Sequence, residues 1–166
     1  MELKIVGEGP WGDRLRNYAD SEKLKNVRFL GYRRGKALTA EISSALAVVV
    51  PSEWYENNPL SIIEAFAMGK PVIGARIGGI PELVRDGERG YTFESGNAED
   101  LRSQIRRLLK EPEKVVAMGR QARRFAEENH NPEKYYNRLM DIYRMAGERA
   151  AGRQTGAGRS VSPSVG

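Results

Sequence analysis

The stretch LAVVVPSEWYENNPLSIIEAFAMGKPVIGA, Leu46–Ala75, decides the fold. Leu46–Val50 is short, apolar and rich in β-branched residues, the composition of a buried strand. Asn58 is suited to cap a helix and Pro59 to open it. The spacing predicts a helix over Pro59–Met68, halted by Gly69. Pro71–Ala75 then reads as a second strand. Strand, helix and strand in succession make a β–α–β unit, which joins parallel strands through a right-handed crossover.

The same alternation extends both ways. Upstream, Leu3–Val6 and Val27–Leu30 read as strands, and WGDRLRNYADSEKL and KALTAEISSA as helices, with Asp13 near the cap of the first. Downstream, PELV is a helical turn and Gly90–Phe93 the last strand. Helices are predicted over Ala98–Lys110, Pro112–Glu128 and Pro132–Ala150. Strands buried on both faces and separated by helices specify an α/β fold, a three-layer Rossmann-like parallel sheet. One domain is expected over residues 1–150. The Gly/Ser-rich tail, residues 151–166, is expected to be disordered.

Composition narrows the chemistry. The chain has 166 residues, 40% of them hydrophobic, and no cysteine. Disulfides, cysteine zinc sites and thiol catalysis are excluded. His130 is the only histidine, so a Ser–His–Asp triad or a histidine metal site would have to use it. No Asp-x-Asp pair or P-loop motif occurs. No apolar run is long enough to span a bilayer, and the first residues lack the features of a signal peptide. The expected location is the cytoplasm, including the inner face of the membrane. The net charge of +5 is concentrated in LRSQIRRLLKEPEKVVAMGRQARR. That face suits either anionic lipid headgroups or plain solvation. Aromatics do not interleave with it, so no nucleic-acid partner is expected.

In an open parallel sheet, ligands bind beyond the carboxyl ends of the strands. The segments there are GEGPWG, GYRRGK, PSEWYENN and ARIGGIPE. GEGPWG matches the dinucleotide fingerprint in outline only. Pro10 removes one N–H, and Gly31-Tyr32-Arg33-Arg34 stands where an acidic ribose ligand belongs. Arg33 and Arg34 could clamp phosphate or merely solubilise a loop. Gly78-Gly79 permits close approach of a ligand or makes a tight loop. Leu60 and Ser61 should offer free N–H groups to an anion such as a diphosphate. Ile62, Ile63 and Phe66 should pack on the sheet, leaving Glu64 half-buried on the other side with Leu60, Ser61 and Met68. A carboxylate only accepts hydrogen bonds, so a ribose diol would match it; simple exposure to water is the alternative.

These segments together resemble a known family. Glu56 and Glu64 form E-x7-E, preceded by the PS strand end and followed by EAFAMGKPVI and GGIPELVRDGERG. LKIVGEGP, VRFLGY and NAEDL also have equivalents. The set, spanning Leu3 to about Arg144, is similar to the donor-binding, C-terminal half of the GT-B fold in retaining glycosyltransferases of family four, group one. The resemblance implies transfer of a sugar, with retention and no metal, from a nucleoside diphosphate such as a UDP- or GDP-sugar. It implies that Glu64 binds the ribose and that Glu56 orients the donor sugar at the reacting carbon. Backbone at Asn57, Asn58 and Leu60 would line the sugar and diphosphate. Gly31 and Tyr32 would flank the base, and Gly7 and Gly9 would let their loop approach the nucleotide.

The chain departs from the family pattern at Asn57-Asn58-Pro59, where Gly-Phe-Gly is frequent. Family members are roughly twice as long. Their acceptor domain, and the Arg and Lys that neutralise the diphosphate, precede the equivalent of Met1. The resemblance therefore implies an N-terminally truncated donor domain, inactive alone; Arg33 and Arg34 are candidate phosphate contacts by their chemistry and not by the resemblance. It also implies that the last helix, carrying Tyr135, Tyr136, Leu139, Ile142 and Tyr143, exposes an apolar face or buries it in a homodimer. A non-catalytic nucleotide-binding module and a sugar-nucleotide epimerase fragment are the alternative readings.

Overall fold

The computed structural model describes residues 1–156. In chain order the elements are β1 (Leu3–Val6), α1 (Gly12–Ser21), β2 (Val27–Gly31), α2 (Gly35–Ser44), β3 (Val48–Val50) and α3 (Leu60–Ala67). They continue with β4 (Val72–Ala75), α4 (Ile80–Val84), β5 (Gly90–Phe93), α5 (Ala98–Lys110), α6 (Pro112–Asn129) and α7 (Pro132–Gly156). Every pairing of these strands is parallel, as the strand–helix alternation requires. The strands hydrogen-bond as two ladders, β1–β2 and β3–β4–β5.

The core sits on the second ladder. Side chains alternate across a strand, so neighbours in β4 face opposite layers. Val72 packs with Val50, with Ile62, Ala65 and Phe66 of α3, and with Ile80 and Val84 of α4. Ile73 and Ala75 pack with Tyr91 and Phe93 of β5, Leu108 of α5, and Val115 and Met118 of α6. Helices on both faces complete the three layers. The ring of Phe66 is fully buried and meets Phe125 edge-on at 6.1 Å. Removing a ring so placed costs about 3–5 kcal/mol.

Four expectations need correction. β1 and β2 contain no fully buried residue, because the buried clusters form on the other ladder. Ala65, not Ile63, completes the buried side of α3; Ile63 is only half-buried. The residues of α3 begin at Leu60, with Pro59 in the cap position. The helical tract of α7 runs through Gly156, so the tail expected from residue 151 starts as helix; residues 157–166 lie outside the described part.

The end of α3 follows the expectation closely. Gly69 adopts φ 67°, which suits the left-handed position after a helix. Its N–H donates to Phe66 O at 2.8 Å, and that of Lys70 to Ala65 O at 2.9 Å. The buried Arg89 ties α4 to α6. It donates to the carbonyls of Leu83 at 2.7 Å and Glu82 at 3.3 Å, and pairs with Glu88 at 2.7 Å. Its guanidinium lies 4.2 Å from the centroid of the Phe125 ring. On α7, Tyr135, Tyr136, Ile142 and Tyr143 are exposed. Among the described residues no helix is long and apolar enough to cross a membrane.

Candidate functional site

The loop between β3 and α3 is held on both sides. The Ser95 hydroxyl donates to Ser52 O at 3.0 Å, and the Gly79 N–H donates to Glu56 O at 2.8 Å. The Ser52 hydroxyl reaches Glu56 Oε1 at 3.5 Å. Gly78 and Gly79 allow this arrangement because they have no side chain. A Cβ on Gly78 would run into Glu56 O, and one on Gly79 into Asn57 O. Of the two readings of the glycine pair, a tight loop is what forms here, and its close neighbour is the segment that carries Glu56. The half-buried Glu56 is thus a positioned carboxylate on an anchored backbone.

Helix α3 starts without a side-chain cap. Pro59 occupies the cap position with φ −65° and ψ 118°, and its side chain has no acceptor. Asn58, expected to cap, makes no such bond and is exposed along with Asn57. The first-turn contact that does form is Ile62 N–H to Pro59 O at 3.1 Å. The N–H groups of Leu60 and Ser61 have no partner among the described residues. They project from the positive end of the helix dipole, where an anion is favoured.

Glu64 is exposed, not half-buried. The reason is geometric: the outward row Leu60–Ser61–Glu64 has no neighbour packed over it, and Leu60 is 72% exposed. The row continues to Met68, whose sulfur meets the Ser43 hydroxyl at 3.4 Å. Glu64 therefore stands one turn before the contact of α3 with α2. Trp54 and Tyr55, beside Glu56, are 82% and 88% exposed.

The loops after β1 and β2 are joined to each other. Gly7 N–H donates to Gly31 O at 2.9 Å, and Gly7 has φ 131° and Gly31 φ 67°. Glu8 Oε1 accepts from Tyr32 N–H at 3.3 Å. Gly9 leaves open space where a side chain would stand. Tyr32 is exposed. The Arg33 guanidinium donates to Tyr32 O at 3.2 Å, and Arg34 precedes α2. No hydrogen bond or ion pair among the described residues joins Arg33 or Arg34 to Glu56 or Glu64.

Several participants escaped the sequence reading. Glu8 was hidden as a variable position of a glycine motif, and Ser52 within PSE. After β4, Arg76 donates to Thr92 O at 3.2 Å and pairs with Asp100 at 3.0 Å. The Asp100 carboxyl is held below its usual range, first by the Glu94 N–H at 2.7 Å and then by Gln104 and Arg76. This cluster braces the turn that leads to Ser95. Only the acidic residues at the start of a helix hinted at it.

Comparison with known proteins identifies the family and the fold. A family model described as glycosyl transferases group 1 matches residues 1–125. The N-acetyl-alpha-D-glucosaminyl L-malate synthase of Bacillus anthracis is 32% identical over 143 residues, covering 86% of this chain and 37% of that protein. The D-inositol 3-phosphate glycosyltransferase of Rhodococcus jostii is 39% identical over 153 residues, covering 88% and 33%. Among solved structures, the sucrose-phosphate synthase of Thermosynechococcus elongatus superposes with a TM-score of 0.78 at 28% identity, over 89% of this chain and 39% of that one. Anabaena HepE in complex with UDP superposes with a TM-score of 0.80 at 22% identity, over 87% and 41%. The chain thus spans 33–37% of the length of these two curated relatives. With its parallel ladders layered between helices in the manner of the GT-B enzymes, the chain belongs to the group 1 glycosyltransferases.

Proposed function

We propose that this chain is the donor-binding domain of a retaining glycosyltransferase whose donor is a nucleoside-diphosphate sugar. The observation that carries the proposal is the start of α3, where two free N–H groups lie between the anchored Glu56 and the exposed Glu64. The diphosphate rests on the N–H groups of Leu60 and Ser61, with Asn57 and Asn58 alongside. Their dipole and hydrogen bonds act on negative charge without a bound metal. Glu64 accepts from the ribose hydroxyls; being exposed before binding, it loses water and gains two matched donors. Glu56 orients the donor sugar, and its fixed backbone limits the geometries the sugar can adopt. Gly7, Gly9, Gly31 and Tyr32 flank the base, and Arg33 and Arg34 are candidates for additional phosphate contacts.

Three superposing structures are of Anabaena HepE with UDP, with UDP and glucose, and with UDP-glucose. They support a uridine nucleotide as the first ligand to test. The relatives carry more than half of their length outside the matched region. We assign acceptor binding to such a region and expect this chain alone to bind donor without turnover.

Thermal-shift titration with UDP, GDP, ADP, their sugars and NAD tests the reading. A ligand that binds the native state raises the melting temperature, by an amount equivalent to about 2.7 kcal/mol at a hundredfold excess over Kd. A nucleoside diphosphate should give the shift. Stabilisation by NAD alone would overturn the proposal.

A further inference from the structure

On the edge opposite the candidate site lies a second cleft of about 630 Å³, within the range of about 300–1,000 Å³ typical of small-ligand sites. It opens at the amino ends of β3 and β4. One wall is the segment before β3 and the turn after α3; the other is the outer side of α6. Gly119 makes the walls meet, since a Cβ there would run into Gly69 O.

The charges in this cleft are unbalanced. Arg123 is satisfied, pairing with Glu127 at 2.6 Å and donating to Ala67 O at 2.8 Å. That second bond also offsets the negative end of the α3 dipole. The side chains of Lys70, Arg120 and Arg124 have no ion-pair or hydrogen-bond partner among the described residues. Glu127, the one acidic residue of the lining, is already taken. Leu46, Pro71 and Val116 supply apolar surface beside the three cations. The cations stand on two walls, Lys70 on the turn after α3 and the arginines on α6. That arrangement offers a small ion cations from both walls, whereas a membrane surface is matched by cations on one face.

We propose that this cleft binds a small phosphate-bearing anion, held by Lys70, Arg120 and Arg124, at a site separate from the donor site. Arginines suit a phosphate because their planar N–H groups match its oxygens in pairs.

The test is a titration of the full chain with inorganic pyrophosphate, followed by amide NMR. Signals of Gly69, Lys70 and Gly119 should move saturably, separately from those of Leu60 and Ser61. Arg120→Gln/Arg124→Gln should weaken this binding about tenfold or more, while UDP binding at the other rim stays unchanged. Arg120→Lys/Arg124→Lys should bind more tightly than the glutamine pair and less tightly than the parent, because the charge stays and the paired N–H groups are lost; this intermediate affinity separates loss of charge from loss of fold. The proposal fails if the cleft signals do not saturate at millimolar pyrophosphate, or if sodium chloride of equal ionic strength moves them equally. It also fails if phosphatidylglycerol vesicles bind through these arginines while pyrophosphate does not.

Discussion

Single residues set the candidate site through what they lack as much as through what they carry. The Glu64 side chain makes no hydrogen bond or ion pair among the described residues, so its removal costs the fold little. Glu64→Ala should leave the melting temperature of the free chain within about 0.5 kcal/mol equivalent and weaken UDP binding at least tenfold by calorimetry. A strong loss of stability with unchanged binding would make Glu64 structural. Gly79 is the opposite case. Gly79→Ala pushes a methyl group against Asn57 O and should destabilise by about 1–3 kcal/mol, the usual cost of overpacking. It should also reduce donor binding, because the displaced backbone carries Glu56. Glu64 was legible in the sequence as a charge on an apolar helix. The role of Gly79 was not, since its contact lies more than 20 residues away in the chain.

At the scale of elements, caps and braces decide what the loops can do. The missing cap of α3 is the device that leaves Leu60 and Ser61 free, and local pattern misjudged it because Asn58 is an ordinary capping residue. Helix α5 shows the alternative: Asn97 accepts from Glu99 N–H at 3.1 Å and Asp100 N–H at 3.0 Å. Asp100 also links stability to pH. Its carboxyl titrates below the ordinary value of 3.8 in the folded chain, so the unfolded chain takes up its proton first as pH falls. Its contribution is complete above that ordinary value and is lost as pH falls through the depressed one. Thermal melts between neutral pH and pH below that value should therefore lose less stability in Asp100→Asn than in the parent. Arg89 braces α4 against α6. Arg89→Met leaves the Leu83 and Glu82 carbonyls without donors and should cost about 1–3 kcal/mol by denaturant unfolding.

Across the whole molecule, packing is uneven. The ladder β3–β4–β5 carries both buried clusters, whereas β1 and β2 hold no fully buried side chain. Regions with few buried apolar contacts open at lower free energy. Hydrogen exchange should therefore be slowest in β4 and β5 and clearly faster in β1 and β2. If the donor spans both ladders, UDP should slow exchange at Gly7–Gly9 and Gly31–Tyr32 as well as at Leu60–Ser61. Protection confined to α3 would restrict the site to the second ladder.

The sequence by itself determined the alternation of strands and helices, the parallel pairing and the stop at Gly69. Each of these follows from short-range periodicity and backbone preference. It also marked Glu56 and Glu64 as a pair. Only the tertiary structure decided that the pairing splits into two ladders, that α3 begins uncapped, and that Glu64 is exposed. It alone revealed that Gly78 and Gly79 seat the loop carrying Glu56, and that Lys70 faces the arginines of α6 across a cleft. Those outcomes depend on which distant surfaces meet, and no local pattern encodes a contact between segments remote in the chain.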